Sequence, residues 1–445
     1  MNIFQINRSE INGRIDPKFI LYLKNIHSFK YKVQSLKNFL LETPQYGTAE
    51  TSIPRTCENQ PRYIRITDID VFGELDNSLG ATAKKSSIEY FLNSNDILFA
   101  RSGATVGKTY LHKQLPYPAF FAGYMIRFRV DGTKLLPDYL FAYTHTTFYK
   151  SWVDAIQRTA AQPNINAEEF ASLPIPLPPL PIQKIIALLY TKTQNQRKNN
   201  LIEAQGFIDN SDKYLLNEIG ITLPQKDNSL KNRIFTTSFR NVIGNRIDPL
   251  ANSPILESLR SNLSNSSFTY LKNIVTETKA IETEINPTDI YVGLENIESN
   301  TGKYIPTETK DSISSALRFK KGQILFPKLR PYLNKVYLAE FDGLCSTEFH
   351  VFDAKNIDVH FLHYCLLSKI TLAQTSNLMT GNTLPRLQSS DIAHILIPNP
   401  PIEKQKEIAK YIQNIRNQAK QLETDAETKY KQAMQEIERM IMASN

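Results

Sequence analysis

Apolar residues along this chain recur in two different rhythms. Near the C-terminus Ile408, Ile412, Ile415, Ala419, Leu422, Ala426, Ala433, Ile437 and Met440 fall at alternating steps of four and three, interrupted only around Lys429 and Tyr430. That is the a/d seam of a coiled coil. A helix over residues 403–441 would run roughly 55 to 60 Å at about 1.5 Å per residue. A weaker seam from 182 to 219 carries Ile185, Leu189, Leu201, Ala204, Ile208, Leu215 and Ile219, diluted by Gln194, Asn195, Asn199, Asn200 and Asn210. Elsewhere short runs rich in Ile, Phe, Tyr and Val predict strands at 63–72, 96–100 and 120–130, and again at 290–297, 323–326 and 348–353. A helical pattern follows each set, over 137–156 and 359–372. Strands and helices do not alternate as equal units, so the fold class predicted is α+β rather than a doubly wound sheet.

The two sets are copies of one another. Ile11-Asn-Gly-Arg-Ile-Asp-Pro17 recurs as Ile243-Gly-Asn-Arg-Ile-Asp-Pro249, Leu36-Lys-Asn38 as Leu271-Lys-Asn273, and Tyr63-Ile-Arg-Ile-Thr-Asp-Ile69 as Tyr291-Val-Gly-Leu-Glu-Asn-Ile297. Asp96-Ile-Leu-Phe99 answers to Gln323-Ile-Leu-Phe326, and PIPLPPLPIQKIIA from Pro174 answers to LIPNPPIEKQKEIA from Leu396. The order is kept while the separation drifts by a few residues, as duplicated domains with loop insertions would give. The boundaries expected are a first domain over 1–180, a long helix over 181–220, a second domain over 221–400 and a second long helix over 401–445. Two helices of like length starting from equivalent points pack most simply as an antiparallel pair, with one domain at each end; the alternative is that each helix folds back on its own domain.

The repeat disposes of two apparent catalytic motifs. RSGATVGKT, Arg101 to Thr109, resembles a phosphate-binding loop, but counting back four intervening residues from Gly107-Lys108-Thr109 lands on Ser102, and Gly103 stands one place too close. The loop is one residue short of the Gly-x4-Gly-Lys-Ser/Thr spacing. The second copy reads Pro327-Lys-Leu-Arg-Pro-Tyr-Leu-Asn-Lys335 at the same place, with no such loop. Asn399-Pro-Pro-Ile402 resembles the motif with which amino-methyltransferases hold a flipped base, but Ile402 offers no aromatic face for stacking. Its repeat partner is Leu177-Pro-Pro-Leu180, and prolines that end a domain and open a helix account for both.

Composition adds a partner class and removes others. Of 445 residues, 41% are hydrophobic and 22% charged, ordinary for a folded globular chain, and the formal net charge of +8 favours an anionic partner, of which nucleic acid is the commonest. Cys57, Cys345 and Cys365 are scattered with no Cys-x-x-Cys spacing, which argues against a disulfide framework or a cysteine zinc site. His360, His363 and Cys365 lie in an amphipathic helical stretch, and no metal is expected there. The N-terminal MNIFQINRSEINGRIDP has no apolar signal region, and no run approaches the roughly 18 apolar residues of a membrane span. A soluble cytoplasmic protein that binds no cofactor itself is expected.

The proline cluster leading into Gln-Lys-x-Ile-Ala after each variable domain, Ile97-Leu-Phe-Ala-Arg-Ser-Gly103, and the segments Gln162-Pro-Asn-Ile-Asn166 and Leu384-Pro-Arg-Leu387 ahead of the prolines together resemble the specificity subunit of type I restriction-modification systems. The resemblance covers essentially the whole chain and implies two target-recognition domains separated by an antiparallel helix pair. Each domain then reads one half of a bipartite duplex DNA target, and the helices set the gap. It also implies that the chain is not catalytic, that two methyltransferase subunits using S-adenosylmethionine dock on the helices, and that restriction subunits using ATP and Mg2+ join them. The second copy departs from the first in having Asn334 for Gly107 and Pro327-Lys-Leu for Ala-Arg-Ser.

Groove chemistry supplies the candidate contacts. Arg and Lys pair with guanine O6/N7, Asn and Gln with adenine N6/N7, and Lys, Ser and Thr on loops hold phosphates. In the first domain the candidates are Lys84, Lys85, Arg101, Ser102, Lys108, Arg158, Gln162 and Asn164; in the second they are Arg318, Lys320, Lys321, Lys328, Arg330, Lys335, Asn382 and Arg386. A solvated turn is the competing reading for each. The residues expected to form the helix seam on which partners dock are Ile185, Leu189, Ile408, Ile412, Ile415, Leu422 and Ile437. Two other classes stay open on the sequence alone: a coiled-coil scaffold whose heads bind protein or single strands, and a self-contained ATPase or adenine methyltransferase.

Overall fold

The computed structural model describes residues 18–20, 22, 29–157, 163–224, 230, 234–242, 246–264, 267–279, 281–286, 288–307, 314–376, 378–381 and 383–442. Arg158, Gln162, Asn382 and the Ile11–Pro17 phrase lie outside them. The chain divides into two compact units, residues 1–199 with 424–445, and residues 200–423.

In the first unit Ile97–Ala100, buried at every position, is the centre of an antiparallel sheet ordered Gln45–Tyr46, Met125–Phe128, Ile97–Ala100, Thr109–Leu111. A second, mixed sheet runs Ser52–Pro54, Ala81–Ala83, Arg62–Ile64, Ala119–Phe121, its last pair parallel. The run at 120–130 read as one strand is therefore two, because the chain bends at 122–124 to pass from one sheet to the other. The strand expected over 63–72 stops at Ile64: Asp68 accepts from the Arg65 backbone N–H at 2.9 Å and pairs with its guanidinium, tightening Ile66–Asp68 into a 3-10 turn.

The second unit repeats this plan. Its antiparallel sheet is Val275–Thr278, Phe349–Ala354, Ile324–Pro327, Tyr337–Leu338, and its mixed sheet is Ile281–Glu282, Ala316–Phe319, Gly343–Cys345, Tyr291–Val292. The mixed sheets differ in one respect. The extra two strands extend from the Arg62–Ile64 edge in the first unit and from the Gly343–Cys345 edge in the second.

Each predicted helix after the sheets is broken in two, by the same device. Pro137–Tyr143 is followed by Thr147–Ile156, with Thr146 donating its hydroxyl to the Tyr143 carbonyl at 2.7 Å and accepting from Tyr149 N. Val359–Leu367 is followed by Lys369–Thr375, with Ser368 donating to the Cys365 carbonyl at 2.7 Å. A side-chain hydroxyl that bonds the preceding turn competes with the helical ladder.

The prolines form a strand as well as opening a helix. Pro174–Pro176 pairs antiparallel with Val33–Ser35, and Leu396–Pro398 with Phe268–Tyr270. A two-stranded ribbon tolerates Pro because one edge needs no donor. Immediately beyond, the long helices span Leu180–Glu218 and Ile402–Ile441. Within the first unit Arg197 pairs with Glu427, and Ile186 and Tyr190 share a core with Met434, Ile437 and Ile441. Within the second, Glu218 pairs with Lys404 at 2.6 Å, Tyr214 packs on Tyr411, and Leu215 shares a core with Ile408 and Ile412. Numbers rise on one helix as they fall on the other, so the segments are antiparallel in each unit. Each unit's core thus claims the start of one helix and the end of the other.

The seam of the second helix is buried at Ile408, Ile412 and Ile437, with Ile415 and Leu422 half-buried. In the first helix Leu189 is half-buried, but Ile185 is 50% exposed and does not belong to the seam. Ile186 and Tyr190 take the inward positions, continued by Gln194, Ala204, Ser211 and Leu215. Ile185-Ile-Ala-Leu-Leu-Tyr190 is apolar at consecutive positions, which leaves the 4-3 register ambiguous until packing selects it.

Candidate nucleic-acid interface

The loop that follows the central strand is built by two left-handed residues. In the first unit these are Gly103 (φ +80) and Gly107 (φ +84), with Gly107 N–H returning to the Ala100 carbonyl at 2.9 Å. A Cβ on Gly107 would stand 2.7 Å from Val153 Cγ1, so both the backbone angle and the space require glycine there. The loop joins two antiparallel strands, Ile97–Ala100 and Thr109–Leu111, whereas a phosphate loop must open a helix. Lys108 donates to the carbonyls of Ile69 at 2.8 Å and Ile66 at 3.5 Å, and burial pulls its pKa down.

The second unit builds the corresponding loop between Ile324–Pro327 and Tyr337–Leu338, but its left-handed residues are Arg330 (φ 48) and Asn334 (φ 52). Asn334 is held in place by donating to the Leu367 carbonyl at 2.7 Å. Lys335 donates to the Leu294 carbonyl at 2.9 Å, the counterpart of the Lys108 contact with Ile66. Lys328 donates to the Thr347 carbonyl at 2.9 Å. These three lysines therefore have backbone partners that tie the loop to the turn beside it, a structural use of residues chosen from the sequence as phosphate contacts.

Two stretches far apart in sequence meet at this loop. Gly103 N–H donates to the Pro163 carbonyl at 3.1 Å, Ile165 N–H to the Arg101 carbonyl at 2.9 Å, and Ser102 bridges Asn164. In the second unit Arg330 N–H donates to the Pro385 carbonyl at 2.7 Å, Leu387 N–H to the Lys328 carbonyl at 3.0 Å, and Leu329 bridges Arg386. Arg101, Ser102 and Asn164 are thereby brought together, as are Arg330 and Arg386. The Arg101 guanidinium lies 4.8 Å from the ring centre of Tyr46, and Arg386 makes a two-pronged pair with Glu348 at 3.1 and 2.8 Å.

Among the described candidates, Lys84, Lys85, Arg318, Lys320 and Lys321 lie on other parts of the two units. Lys84 and Lys85 are exposed beyond Ala81–Ala83. Lys320 and Lys321 are exposed at the start of the strand whose far end carries the loop, and Arg318 is paired with Glu282 at 2.5 Å and with Asp289. Three partly exposed tyrosines were not picked out from the sequence: Tyr46, Tyr124, whose carbonyl accepts from Arg101 N–H, and Tyr332 within the second loop. Their only linear signal is an exposed aromatic near a basic residue, and for Tyr46 the sheet supplies the nearness.

Each unit also carries a cleft along its long-helix segment, of about 720 Å³ in the first and about 510 Å³ in the second. Equivalent residues line them: Tyr110 and Tyr337, Phe141 and His363, Gln194 and Arg416. Burial drives the His363 pKa down to about 3, and its Nε2 faces the Val336 carbonyl. Among the described residues no three His, Cys, Asp or Glu side chains come together as metal ligands, and no helix is long and apolar enough to cross a membrane.

The profile of the type I restriction modification DNA specificity domain matches twice, over residues 67–205 and 275–430, more than half of the chain and once per repeat. The chain belongs to the type I restriction-modification DNA specificity family. Among curated relatives of this specificity chain, the EcoDI specificity subunit of Escherichia coli is 36% identical over 132 residues, a stretch spanning 29% of this chain and 30% of that subunit. The MjaVIII specificity subunit of Methanocaldococcus jannaschii is 23% identical over 348 residues, 75% of each chain. Among solved structures, the S subunit of a type I restriction-modification system from M. genitalium aligns over 98% of this chain and 99% of its own, with 13% identity and a TM-score of 0.46.

Proposed function

We propose that this chain is the DNA sequence-specificity subunit of a type I restriction-modification complex. Its two α/β domains, over 1–180 and 221–400, each read one half of a bipartite duplex target. The long helices, over 181–220 and 401–445, set the gap between half-sites and dock two methyltransferase subunits and the restriction subunits. S-adenosylmethionine, ATP and Mg2+ act on those partners, and this chain contributes recognition without catalysis.

The observation that carries the reading is one loop-and-segment arrangement built twice with different side chains. The backbone pairing of residues 101–103 with 163–165 and of 328–330 with 385–387 is the same, while the groups presented are Arg101, Ser102 and Asn164 in one and Arg330 and Arg386 in the other. A duplicated scaffold with unlike readers suits a target whose halves differ in sequence. Arg suits guanine O6/N7 and Asn suits adenine N6/N7.

The test is modified-base sequencing of DNA from cells expressing the chain with and without its methyltransferase partner. The expected result is methyladenine only when both are present, within a split motif of fixed gap. Methylation without a split motif, or a stable complex that methylates nothing, would overturn the reading.

A further inference from the structure

We propose that Arg330 reads a guanine in the half-site recognised by the second unit. The inference rests on the reading of the chain as a duplex-specificity subunit and assigns one of its base contacts.

The backbone is the first reason. Arg330 sits at φ 48 and ψ 52, a left-handed conformation that costs an L-residue with a side chain about 1 to 2 kcal/mol. The matching position in the first unit is Gly103, which adopts it freely. The loop path therefore asks for glycine, and one copy has arginine instead. Strain of this kind persists only where the surroundings enforce it, and it collects at sites where geometry serves function. Here Arg330 N–H donates to the Pro385 carbonyl at 2.7 Å, its own carbonyl accepts from Leu333 N–H at 2.9 Å, and buried Pro331 follows.

The side chain is the second reason. Arg330 Nε is buried and has no hydrogen-bond partner, a state it shares with Arg101 Nε in the matching loop of the first unit. Among the described residues its guanidinium has no carboxylate partner either, whereas nearby Arg386 is paired with Glu348 and Arg318 with Glu282. A buried donor with nothing to bond is costly and calls for an explanation. An external ligand whose acceptors approach the fork supplies one. The neighbourhood suits such a ligand: Tyr332, two residues on, is 49% exposed, and Arg386 lies across the bridge from Leu329.

A phosphate also offers the planar guanidinium two parallel acceptors, but phosphates recur along both strands and other cations can serve them, whereas one base edge is met from one place only. A side chain held by a left-handed backbone suits the second. Guanine O6 and N7 present such a pair of acceptors in the major groove.

The experiment uses the full chain assembled with its methyltransferase partner. Binding is followed by fluorescence anisotropy on duplexes carrying the wild-type motif and each single base-pair change, at several salt concentrations. Arg330→Gly keeps the left-handed backbone while deleting the reader; Arg330→Lys keeps the charge while losing the fork. The expected result is a melting temperature for Arg330→Gly no lower than wild type. Both variants should lose roughly 5- to 150-fold of preference at a single G·C pair of one half-site, with all other positions read as before. A uniform loss of affinity across sequences, with the salt slope smaller by about one for Arg330→Gly, would make Arg330 a phosphate contact and overturn the proposal. Unchanged discrimination in both variants would also overturn it. If Arg330→Gly proves less stable, Arg330→Lys decides the matter alone. A wild-type complex that prefers no split duplex sinks the specificity reading itself, whereas a wild-type preference that survives both substitutions sinks only this assignment.

Discussion

Replacing Gln183 with Ala should destabilise the first unit by about 3 kcal/mol, although Gln183 belongs to no candidate site. Its side chain is 1% exposed and makes three hydrogen bonds: it accepts from Leu136 N–H at 2.8 Å and donates to the carbonyls of Lys134 at 3.1 Å and Pro178 at 2.9 Å. One amide thus fastens the first turn of the long helix to the proline loop and to the start of Pro137–Tyr143. At about 1 kcal/mol for each bond the loss is about 3 kcal/mol, with a further cost if the orphaned groups stay dry. Gln405 makes the corresponding contacts, accepting from Asp358 N–H at 2.9 Å and donating to the Pro400 carbonyl at 2.8 Å. Urea unfolding of each variant gives the loss, and hydrogen exchange gives its location. The Leu136 amide should exchange faster in Gln183→Ala while Asp358 stays protected, and Gln405→Ala should do the reverse. A loss below about 1 kcal/mol in both variants, with neither amide deprotected, would refute the argument that this glutamine is in the repeated motif for its hydrogen bonds.

Other outcomes follow from the same structure. Burial holds the His145 pKa down to about 4, with its imidazole bonded to the Phe141 carbonyl and Lys150 nearby. The unfolded chain takes up a proton below about pH 6.5 that the folded chain refuses, so stability is full above that pH. It should fall by up to about 3 kcal/mol between pH 6.5 and 4, and His145→Phe should reduce the slope of stability against pH by about one proton. Lys108→Met should lower stability by about 1.5 to 3 kcal/mol by removing a charged donor from the Ile69 carbonyl, yet leave the salt dependence of DNA binding unchanged; a salt slope smaller by one would give Lys108 a phosphate instead. Ile437→Ala should cost about 2 to 5 kcal/mol in a denaturant titration, because the side chain is fully buried, whereas Ile185→Ala at a half-exposed position should cost less than about 0.5 kcal/mol.

The duplication, the α+β class and both long helices were legible in the linear chain because each rests on local periodicity or on repeated residue order. The helices span Leu180–Glu218 and Ile402–Ile441 against apolar seams read over 182–219 and 403–441, since prolines fix the start and the seam continues to the last turn. What the sequence alone left open was decided by contacts between distant residues. Ile185 and Ile186 are interchangeable by pattern, and only packing against Ile437 and its neighbours turns Ile186 inward. Lys108 and Lys335 look like phosphate donors until the fold brings carbonyls of an adjoining 3-10 turn to their ammonium groups. Arg330 is one basic residue among several until its left-handed backbone sets it apart. Sequence by itself determined the duplication and the two long helices, because repeated order and helical period are written along the chain. Tertiary structure alone decided which polar groups are spent on the fold and which still face outward, because a donor's partner is a matter of distance in space.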